Sequence, residues 1–405
     1  MTPRRRVVVT GMGCVTALGV GAPLVWAKAR DGESGVSPFS LDRFEHQQVK
    51  AAAHFSSFAP HALLEKNLAA DTDRFAQFAL VAAAEALDQA RSTAPLHLNE
   101  RTGVIVGSGI GGASTSDDQH YTFYVTKARN DPFTIPRVMP NAAASHISMR
   151  YGAKGPCFAV SSACSSASQS IGLGLQAIRS GMIDTCIVGG SEALLTPATF
   201  RAWESLRVLT STLCRPFSKG RNGMVLGEGA GILVIEAEET ARRRGAAPLA
   251  ELAGYGTCSD AGDIVRPDRD GAARCMQLAL DDAGLVPQEI DYVNAHGTGT
   301  ILNDACETAA LSHVFGSALE DLSVSSTKPI HGHTLGAAGG IELVITVSAV
   351  REQIAPPTIN WLERDTTCIA DPVANVARPR RIRAALSNSF AFGGINACLA
   401  VTPYS

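Results

Sequence analysis

The chain has 405 residues, of which 45% are hydrophobic and 18% are charged, and its formal net charge is −3 at pH 7. This length and composition suit two domains, or one domain built from two halves, around a substantial buried core. Because nucleic-acid binding depends on clustered lysine and arginine, the slightly acidic balance argues against nucleic acid as the main partner.

The N-terminal stretch MTPRRRVVVTGMG starts with basic residues and continues into an apolar run, as a secretory signal does. Glycines such as Gly11 and Gly13 interrupt that run, so a buried strand that meets a turn is the better interpretation. No stretch approaches the ~18 uninterrupted apolar residues of a membrane span, and no membrane partner is expected. The ten cysteines are scattered without a CxxC pair, which predicts reduced thiols in the cytoplasm.

Strand-like runs alternate with helical ones along the chain. Short, continuously apolar runs are typical of strands buried on both faces of a sheet, and apolar positions at helical spacing indicate helices. In chain order the predicted elements are a strand at 6–11, a helix at 74–90, strands at 103–109, 185–190 and 232–237, and a helix at 273–284 that ends at Gly284. This alternation predicts an α/β fold.

The ends of the predicted strands show a weak internal repeat. The motifs TGMG, VGSG, VSSAC and VGGSEA follow strands in the first part of the chain, and AGYG, NAHGTG, VSSTK and SNSFAFGG follow strands in the same order in the second part. We therefore predict two similar halves, residues 1–245 and 246–405, that face each other within one unit.

The stretch VSSACSSASQSIG places Cys164 among small side chains, between a predicted strand and a predicted helix. A thiol at a helix N-terminus lies at the positive end of the helix dipole, which favours the nucleophilic thiolate. A sharp strand-to-helix turn would also expose the side chain. Cys164 is therefore the candidate nucleophile, whereas the other cysteines are expected to be buried and inert.

Two further motifs place histidines at strand ends in the second half. YVNAHGTGT puts His296 in a turn, where Thr298 and Thr300 could hydrogen-bond a polar ligand. SSTKPIHGHTLGAAGG puts Lys328 and His333 after another strand. If strand ends from the two halves meet, His296 and His333 would lie beside the thiol as hydrogen-bond donors.

A metal site is the alternative interpretation of the same region. His331 and His333, with Asp304 and Glu307, have the ligand types that suit zinc. The HGH motif alone is a weak signal, however, and nothing in the sequence fixes a third ligand.

The last glycine-rich stretch, SNSFAFGGIN around Phe392, predicts a loop whose backbone N–H groups could stabilise an oxyanion. Together with the cysteine motif, NAHGTGT, STKPIHGH and RPFSKGRNGMVLGEGAGILVIEA, it resembles the β-ketoacyl-acyl-carrier-protein synthases over nearly the whole chain. These are condensing enzymes of the thiolase superfamily. The resemblance implies a thiolase-like fold, in which two similar α/β halves form a five-layered αβαβα core.

The resemblance implies a 3-oxoacyl-[acyl-carrier-protein] synthase. Cys164 would accept an acyl group, and malonyl-carrier protein would lose CO₂ in a decarboxylative Claisen condensation that extends a fatty acid, polyketide or polyene chain. No separate cofactor is expected, because the substrates are carried on the phosphopantetheine of an acyl carrier protein. A homodimer is the expected assembly, with a heterodimer as the alternative.

The resemblance also implies roles for individual residues. His296 and His333 would donate hydrogen bonds to the enolate oxygen, and the backbone N–H groups of Cys164 and Phe392 would form the oxyanion hole. The remaining implied positions are Lys328 as the residue that orients the histidines, Glu307 behind it, Thr298 and Thr300 on the phosphopantetheine arm, Ile110 at the end of the acyl pocket, Phe392 as its gate, Arg207 at the carrier-docking surface, and Asn294, Glu342 and Asn388 around a structural cation.

Several positions depart from the pattern of that family. Ala391 replaces a glycine beside the gating phenylalanine, Asn222 replaces an aspartate, and Met224 replaces a phenylalanine. Ile395 replaces a threonine, and the segment 259–271 is unusually charged. These changes predict a specialised carrier protein or acyl chain.

Two related activities are alternatives. A catalytically silent chain-length partner commonly lacks the cysteine, so Cys164 argues against it, although a subunit that is active only as a heterodimer would keep the cysteine. A thiolase would place a second cysteine in the last glycine-rich loop, whereas Cys398 lies beyond that loop in the predicted terminal strand.

Overall fold

The computed structural model describes residues 4–404. The strands are β1 Val7–Thr16, β2 Gly19–Val20, β3 Ser37–Pro38, β4 Ala51–Ala52, β5 Thr102–Gly107, β6 Cys157–Val160, β7 Thr185–Glu192, β8 Gly229–Ala237, β9 Ala250–Ser259, β10 Tyr292–Asn294, β11 Ser323–Ser325, β12 Ile354–Ala355, β13 Arg378–Pro379, β14 Ala385–Ala391 and β15 Ile395–Thr402. The helices are α1 Ala22–Asp31, α2 Pro60–Leu63, α3 Lys66–Ala70, α4 Arg74–Arg91, α5 Ala113–Tyr121, α6 Thr134–Val138, α7 Ala142–Tyr151, α8 Ser166–Arg179, α9 Pro197–Ser205, α10 Glu238–Arg244, α11 Arg269–Ala283, α12 Ile301–Phe315, α13 Lys328–His331 and α14 Ala338–Glu352. The predicted strands correspond to β1, β5, β7 and β8, and the predicted helices correspond to α4 and α11.

Helix α11 begins at Arg269, earlier than predicted, because a side chain caps its first turn. The Asp268 carboxylate accepts a hydrogen bond from the Gly271 N–H at 2.7 Å, which satisfies a donor that the helix leaves free. The helix ends as predicted, since Gly284 has a φ of 68°, a left-handed conformation that glycine adopts without strain.

Ten of these strands form two five-stranded halves with the same topology. The spatial order is β6-β5-β7-β8-β1 in the first half and β11-β10-β14-β15-β9 in the second. If the strands of each half are numbered 1 to 5 in chain order, their spatial order across the sheet is 3-2-4-5-1 in both halves. The parallel and antiparallel pairings are also the same. A short contact between β1 and β9 joins them. The two similar halves are confirmed, and the proposed boundary at residue 245 falls between α10 and β9.

Helices separate the two sheets and cover them. Helix α8 contacts β5, β7, β9 and β15, and α14 contacts β7, β8, β14 and β15, so both helices lie between the sheets. Helix α4 packs on the first sheet and α11 on the second, each on the opposite face. These layers confirm the predicted αβαβα core.

Helix α14 is buried from Ala338 to Val350. Its backbone packs directly on β8 because Gly340 of the helix faces Gly231 of the strand. A Cβ on Gly231 would lie 2.3 Å from the carbonyl carbon of Gly340, so a larger residue would not fit at this contact. Helix α14 is therefore apolar because it lies in the middle layer of the core, between the two sheets. Within residues 4–404, none of the helices combines the length and hydropathy that a membrane crossing requires.

Candidate active site

Cys164 lies in the sharp turn between β6 and α8, as the sequence predicts. Residues 163–165 form a single 3₁₀ turn, and α8 begins at Ser166. Ala163 has a φ of 50°, a left-handed conformation that costs a non-glycine residue roughly 1–2 kcal/mol. The Ser166 hydroxyl accepts a hydrogen bond from the Ser162 N–H at 2.9 Å, which helps to hold this turn.

Two histidines from the second half reach the sulfur from the first half. His333 Nε2 lies 3.2 Å from Cys164 Sγ. The rings of His296 and His333 have centroids 5.4 Å apart at an interplanar angle of 82°. One ligand atom of each of the three residues lies within 4.8 Å of the other two, and all three side chains are buried. The structure thus brings together the candidate nucleophile and both candidate hydrogen-bond donors.

Backbone contacts anchor both histidines. His296 follows β10, and Glu307 of α12 accepts the N–H groups of His296 and Gly297 at 2.8 Å each. His333 follows α13, and its own N–H donates to the Val225 carbonyl at 2.7 Å. The two rings therefore project from fixed positions in the second half.

Burial determines the protonation of these three side chains. It raises the pKa of the Cys164 thiol to about 12 because it disfavours the thiolate, although the nearby Lys328 cation opposes that shift. Desolvation therefore opposes the thiolate that the helix dipole is expected to favour. Burial, followed by the charge of Lys328, lowers the pKa of His296 and of His333 well below the ordinary value. Both imidazoles are neutral at pH 7.

Lys328 pairs with Glu342 and not with Glu307. Its Nζ lies 2.5 Å from Glu342 Oε1, and both side chains are fully buried. Glu307 instead holds the His296 backbone and accepts a hydrogen bond from the Asn388 amide at 3.2 Å. Glu307 thus supports the histidine site through the His296 backbone, and Glu342 is the ion-pair partner of Lys328.

In the described part of the chain, several buried oxygens at the predicted cation position have no partner, including the second carboxylate oxygen of Glu342. Asn294 Oδ1, Glu342 Oε2, Ser387 Oγ and Asn388 Oδ1 have no hydrogen-bond partner within residues 4–404. Asn294 and Ser387 are register partners on adjacent strands. Unpaired buried oxygens are unusual, and oxygen ligands of these kinds suit hard cations. The residues predicted to surround a cation therefore fit one chemically.

The alternative zinc site is not assembled. His331 Nδ1 donates to the Gly332 carbonyl at 2.7 Å, and its Nε2 accepts from the Thr327 hydroxyl at 3.0 Å. Asp304 accepts hydrogen bonds from backbone N–H groups. Protein contacts already occupy these atoms, and among the described residues His331, Asp304 and Glu307 do not gather with His333 into a group of potential metal ligands.

A cavity of about 250 Å³ opens onto the cysteine and the two histidines. The predicted site residues that line it are Cys164, Arg207, His296, Thr298, Thr300, His333 and Phe392. Positions that depart from the family pattern also line it, namely Asn222, Met224, Ala391 and four residues of the segment 259–271. The departures therefore change the surface that a substrate meets.

Phe392 lines the cavity beside the Cys164 sulfur. Its backbone N–H faces the Cys164 sulfur, and its ring stacks on Trp203 with centroids 5.9 Å apart and an interplanar angle of 22°. Trp203 is a cavity residue that sequence reasoning misses. Nothing in its local sequence distinguishes it from an ordinary residue of α9.

Two other positions lie outside the cavity. Ile110 does not line it, and its side chain is 45% exposed, because the turn after β5 carries it to the surface of the single chain. The place of Ile110 at the end of the acyl pocket stays a prediction. Cys398 is fully buried in the apolar core of the second half, so the second active-site cysteine of a thiolase is missing from this cavity.

Family models for the N-terminal and C-terminal domains of the beta-ketoacyl synthases match residues 4–241 and 249–362. The chain belongs to the beta-ketoacyl synthase family. It is 43% identical over 399 residues to "Nodulation protein E" of Rhizobium leguminosarum bv. trifolii, with 98% of each chain covered. It is 40% identical over 407 residues to "3-oxoacyl-[acyl-carrier-protein] synthase 2" of Staphylococcus aureus (strain COL), again with 98% of each chain covered.

A solved structure, "The ishigamide ketosynthase/chain length factor", has a TM-score of 0.94 to this chain at 34% identity and covers 100% of both chains. The family match and these relatives identify an acyl-transferring enzyme that forms carbon–carbon bonds, a condensing enzyme of fatty acid or polyketide chain elongation. The expected family is thereby confirmed.

Proposed function

We propose that this ketosynthase condenses an acyl group carried on Cys164 with a malonyl group carried on an acyl carrier protein. The observation that carries the proposal is the approach of His333 Nε2 to the Cys164 sulfur at 3.2 Å, in a cavity that His296 also lines. The similarity to a relative named as an acyl-carrier-protein synthase supports carrier-bound substrates.

In the first half-reaction the Cys164 sulfur attacks the thioester of an acyl carrier protein. The S–H bond breaks, a new C–S bond forms, and the carrier leaves as a thiol that takes up the proton. Because the pKa of Cys164 is about 12, the thiol needs a proton acceptor during the attack. His333 Nε2 is placed to relay that proton.

In the second half-reaction the malonyl group loses CO₂, and its electron pair moves onto the thioester enolate. Neutral His296 and His333 then donate N–H hydrogen bonds to the enolate oxygen as its charge develops, and for this step His333 is in the tautomer that carries its proton on Nε2. The enolate carbon attacks the acyl thioester, and the N–H groups of Cys164 and Phe392 receive the oxyanion. The bond to Cys164 then breaks, and the released thiolate takes one proton from solvent.

Further residues support substrate binding and charge balance. Thr298 and Thr300 line the cavity, and their hydroxyls lie 2.9 Å apart, so they can hydrogen-bond the amides of a phosphopantetheine arm. Glu307 holds the His296 backbone, and the charge of Lys328 adds to burial in lowering the pKa of both imidazoles, which keeps them neutral.

A structural cation is part of this proposal. Its ligands would be the unpaired oxygens of Asn294, Glu342 and Asn388, with Ser387 beside them. The ion would supply positive charge next to a buried carboxylate that has only one ammonium partner. No separate cofactor is proposed for the reaction itself.

We also propose a homodimer formed through β6, with a heterodimer as the alternative. Strand β6 ends the sheet and leaves a free edge. Exposed apolar side chains surround it, among them Phe158 on β6, Ile135 on α6 and Met149 on α7. A second copy would cover them and approach Ile110, which follows the neighbouring strand β5. Similarity to a ketosynthase/chain length factor supports the heterodimer, and the free cysteines support a cytoplasmic location.

The proposed function is tested by mixing the purified chain with malonyl carrier protein and with carriers that bear a panel of acyl groups. We expect 3-oxoacyl products, identified by mass, each longer than its acyl donor by one malonyl-derived unit. Products that form only after a second subunit is added would favour the heterodimer. Thiolysis of acetoacetyl-coenzyme A without condensation would contradict the proposal, as would the absence of product with every acyl donor and partner.

Arg207→Glu is expected to raise the KM for carrier protein about tenfold with little change in kcat, because reversing one charge at a docking surface mainly weakens association with an acidic partner. Arg207 is exposed at the cavity wall. The matched control is Arg243→Glu on α10, an exposed arginine that does not line the cavity. Steady-state kinetics at low and moderate salt measure the effect, and equal KM values for the two variants would contradict a docking role.

A further inference from the structure

Glu192, the last residue of β7, is a fully buried carboxylate with no cation beside it among the described residues. Burial raises its pKa to about 7. It accepts hydrogen bonds from Ser108 Oγ at 3.1 Å and from the N–H groups of Gly109 at 2.6 Å, Ile110 at 3.4 Å and Gly336 at 3.1 Å. Because a buried carboxylate is costly even when it is hydrogen-bonded, its place here needs a reason.

The donors come from both halves of the enzyme. Ser108, Gly109 and Ile110 follow β5 in the first half, whereas Gly336 lies in the turn that follows His333 in the second half. The Ser161 hydroxyl, just before the cysteine turn, donates to the Gly109 carbonyl at 3.2 Å. Glu192 therefore lies in a chain of hydrogen bonds that links the two turns of the active site.

Both turns contain a non-glycine residue in the left-handed conformation. Ala163 beside the cysteine has a φ of 50°, and Leu335 after His333 has a φ of 44°. Such strain persists only where the surrounding structure holds it. The two turns contact each other, and a Cβ on Gly336 would lie 2.5 Å from Glu192 Oε2, so the carboxylate fits closely against the second turn.

We propose that Glu192 is a positioning residue, which holds the Cys164 and His333 turns together and so maintains the 3.2 Å approach of His333 Nε2 to Cys164 Sγ. This inference rests on the proposed function. A carboxylate suits the role because both of its oxygens accept hydrogen bonds. In a glutamine, one of these positions would be an NH₂ group, which cannot accept a hydrogen bond from the donor that faces it. Burial is the main cause of the raised pKa of Cys164; the charge of Lys328 lowers this pKa, and the charges of Glu342 and Glu192 raise it further.

Three variants of the full chain test the proposal. Glu192→Gln removes the charge and one acceptor, and Glu192→Asp keeps the charge on a shorter side chain. Glu85→Gln is the matched control, since Glu85 is a partly buried carboxylate away from the cavity that accepts the N–H groups of Cys14 at 2.9 Å and Ala22 at 2.7 Å. The measurements are kcat and KM with malonyl carrier protein, Tm, and the pH midpoint of Cys164 alkylation by iodoacetamide, read by peptide mass spectrometry.

We expect both Glu192 variants to lower kcat by about tenfold to a hundredfold with KM nearly unchanged, because misplacing a catalytic group by ~1 Å has effects of this size. Glu192→Gln should move the alkylation midpoint to lower pH, since it removes an anion that disfavours the Cys164 thiolate. Glu192→Asp should leave the midpoint in place. Glu85→Gln should lower Tm and change neither kcat nor the midpoint.

An unchanged kcat in either Glu192 variant would overturn the inference, and so would an alkylation midpoint that does not respond to Glu192→Gln. If Glu192→Gln does not fold, kcat and the midpoint of Glu192→Asp decide alone. The alkylation measurement reads the thiol without any condensation. If the unsubstituted chain never condenses, the proposed function is contradicted. If the alkylation midpoint of Cys164 nevertheless moves in Glu192→Gln, the placement of Glu192 beside the active site still holds.

Discussion

Cys164→Ala is expected to abolish acyl transfer to the protein and to reduce condensation to background. The sulfur is the atom that forms the new bond, and no other thiol lines the cavity within residues 4–404. Intact-protein mass spectrometry after incubation with acyl carrier protein measures the loading directly. Decarboxylation of malonyl carrier protein should survive in part, because His296 and His333 remain in place to stabilise the enolate.

The matched control for this variant is Cys258→Ala. The neighbouring Cys275 thiol and Arg274 lower the pKa of the half-buried Cys258 thiol to about 6, whereas burial raises the pKa of the Cys164 thiol, so the surroundings of Cys258 favour ionisation more than those of Cys164 do. If ionisation alone decided acylation, Cys258 would carry the acyl group. We expect full loading of Cys258→Ala and none of Cys164→Ala; the reverse result would refute Cys164 as the nucleophile.

The fold is largely predictable from the sequence because its signals are local. Apolar runs mark β1, β5, β7 and β8, and Gly284 ends α11 where a left-handed residue is needed. The repeated order of strand-end motifs predicts the duplicated topology. The start of α11 is missed because a helix cap depends on the side-chain geometry of Asp268, which composition does not reveal.

The site is predictable only in part, for a physical reason. Motifs at strand ends indicate Cys164, His296 and His333, since strand ends meet at one edge of a sheet. The partner of Lys328 depends on where α14 places Glu342, which is a contact between distant segments. Glu192 lies at the end of an ordinary buried strand, and its four donors come from other segments, so no local pattern distinguishes it.

His333→Ala is expected to lower condensation about 100- to 1,000-fold, which is the typical effect of removing one donor that stabilises a developing oxyanion. Acyl loading of Cys164 should be slower, because the proton relay is lost, but should still reach completion. Lys328 continues to favour the thiolate, and the departing carrier thiol still takes the proton. Mass spectrometry of the acyl-enzyme and release of CO₂ from malonyl carrier protein measure the two half-reactions separately.

His333→Asn separates the two roles of this imidazole. An asparagine amide can donate an N–H hydrogen bond to the enolate but is a very weak proton acceptor. We therefore expect His333→Asn to recover part of the decarboxylation that His333→Ala loses, while acyl loading stays slow in both variants. The His333 ring is neutral, so it donates its hydrogen bond without a positive charge. Asparagine is also uncharged and can therefore replace it as a donor. Normal 3-oxoacyl output from His333→Ala would contradict the donor role, and equal decarboxylation by the two variants would locate the loss elsewhere in the site.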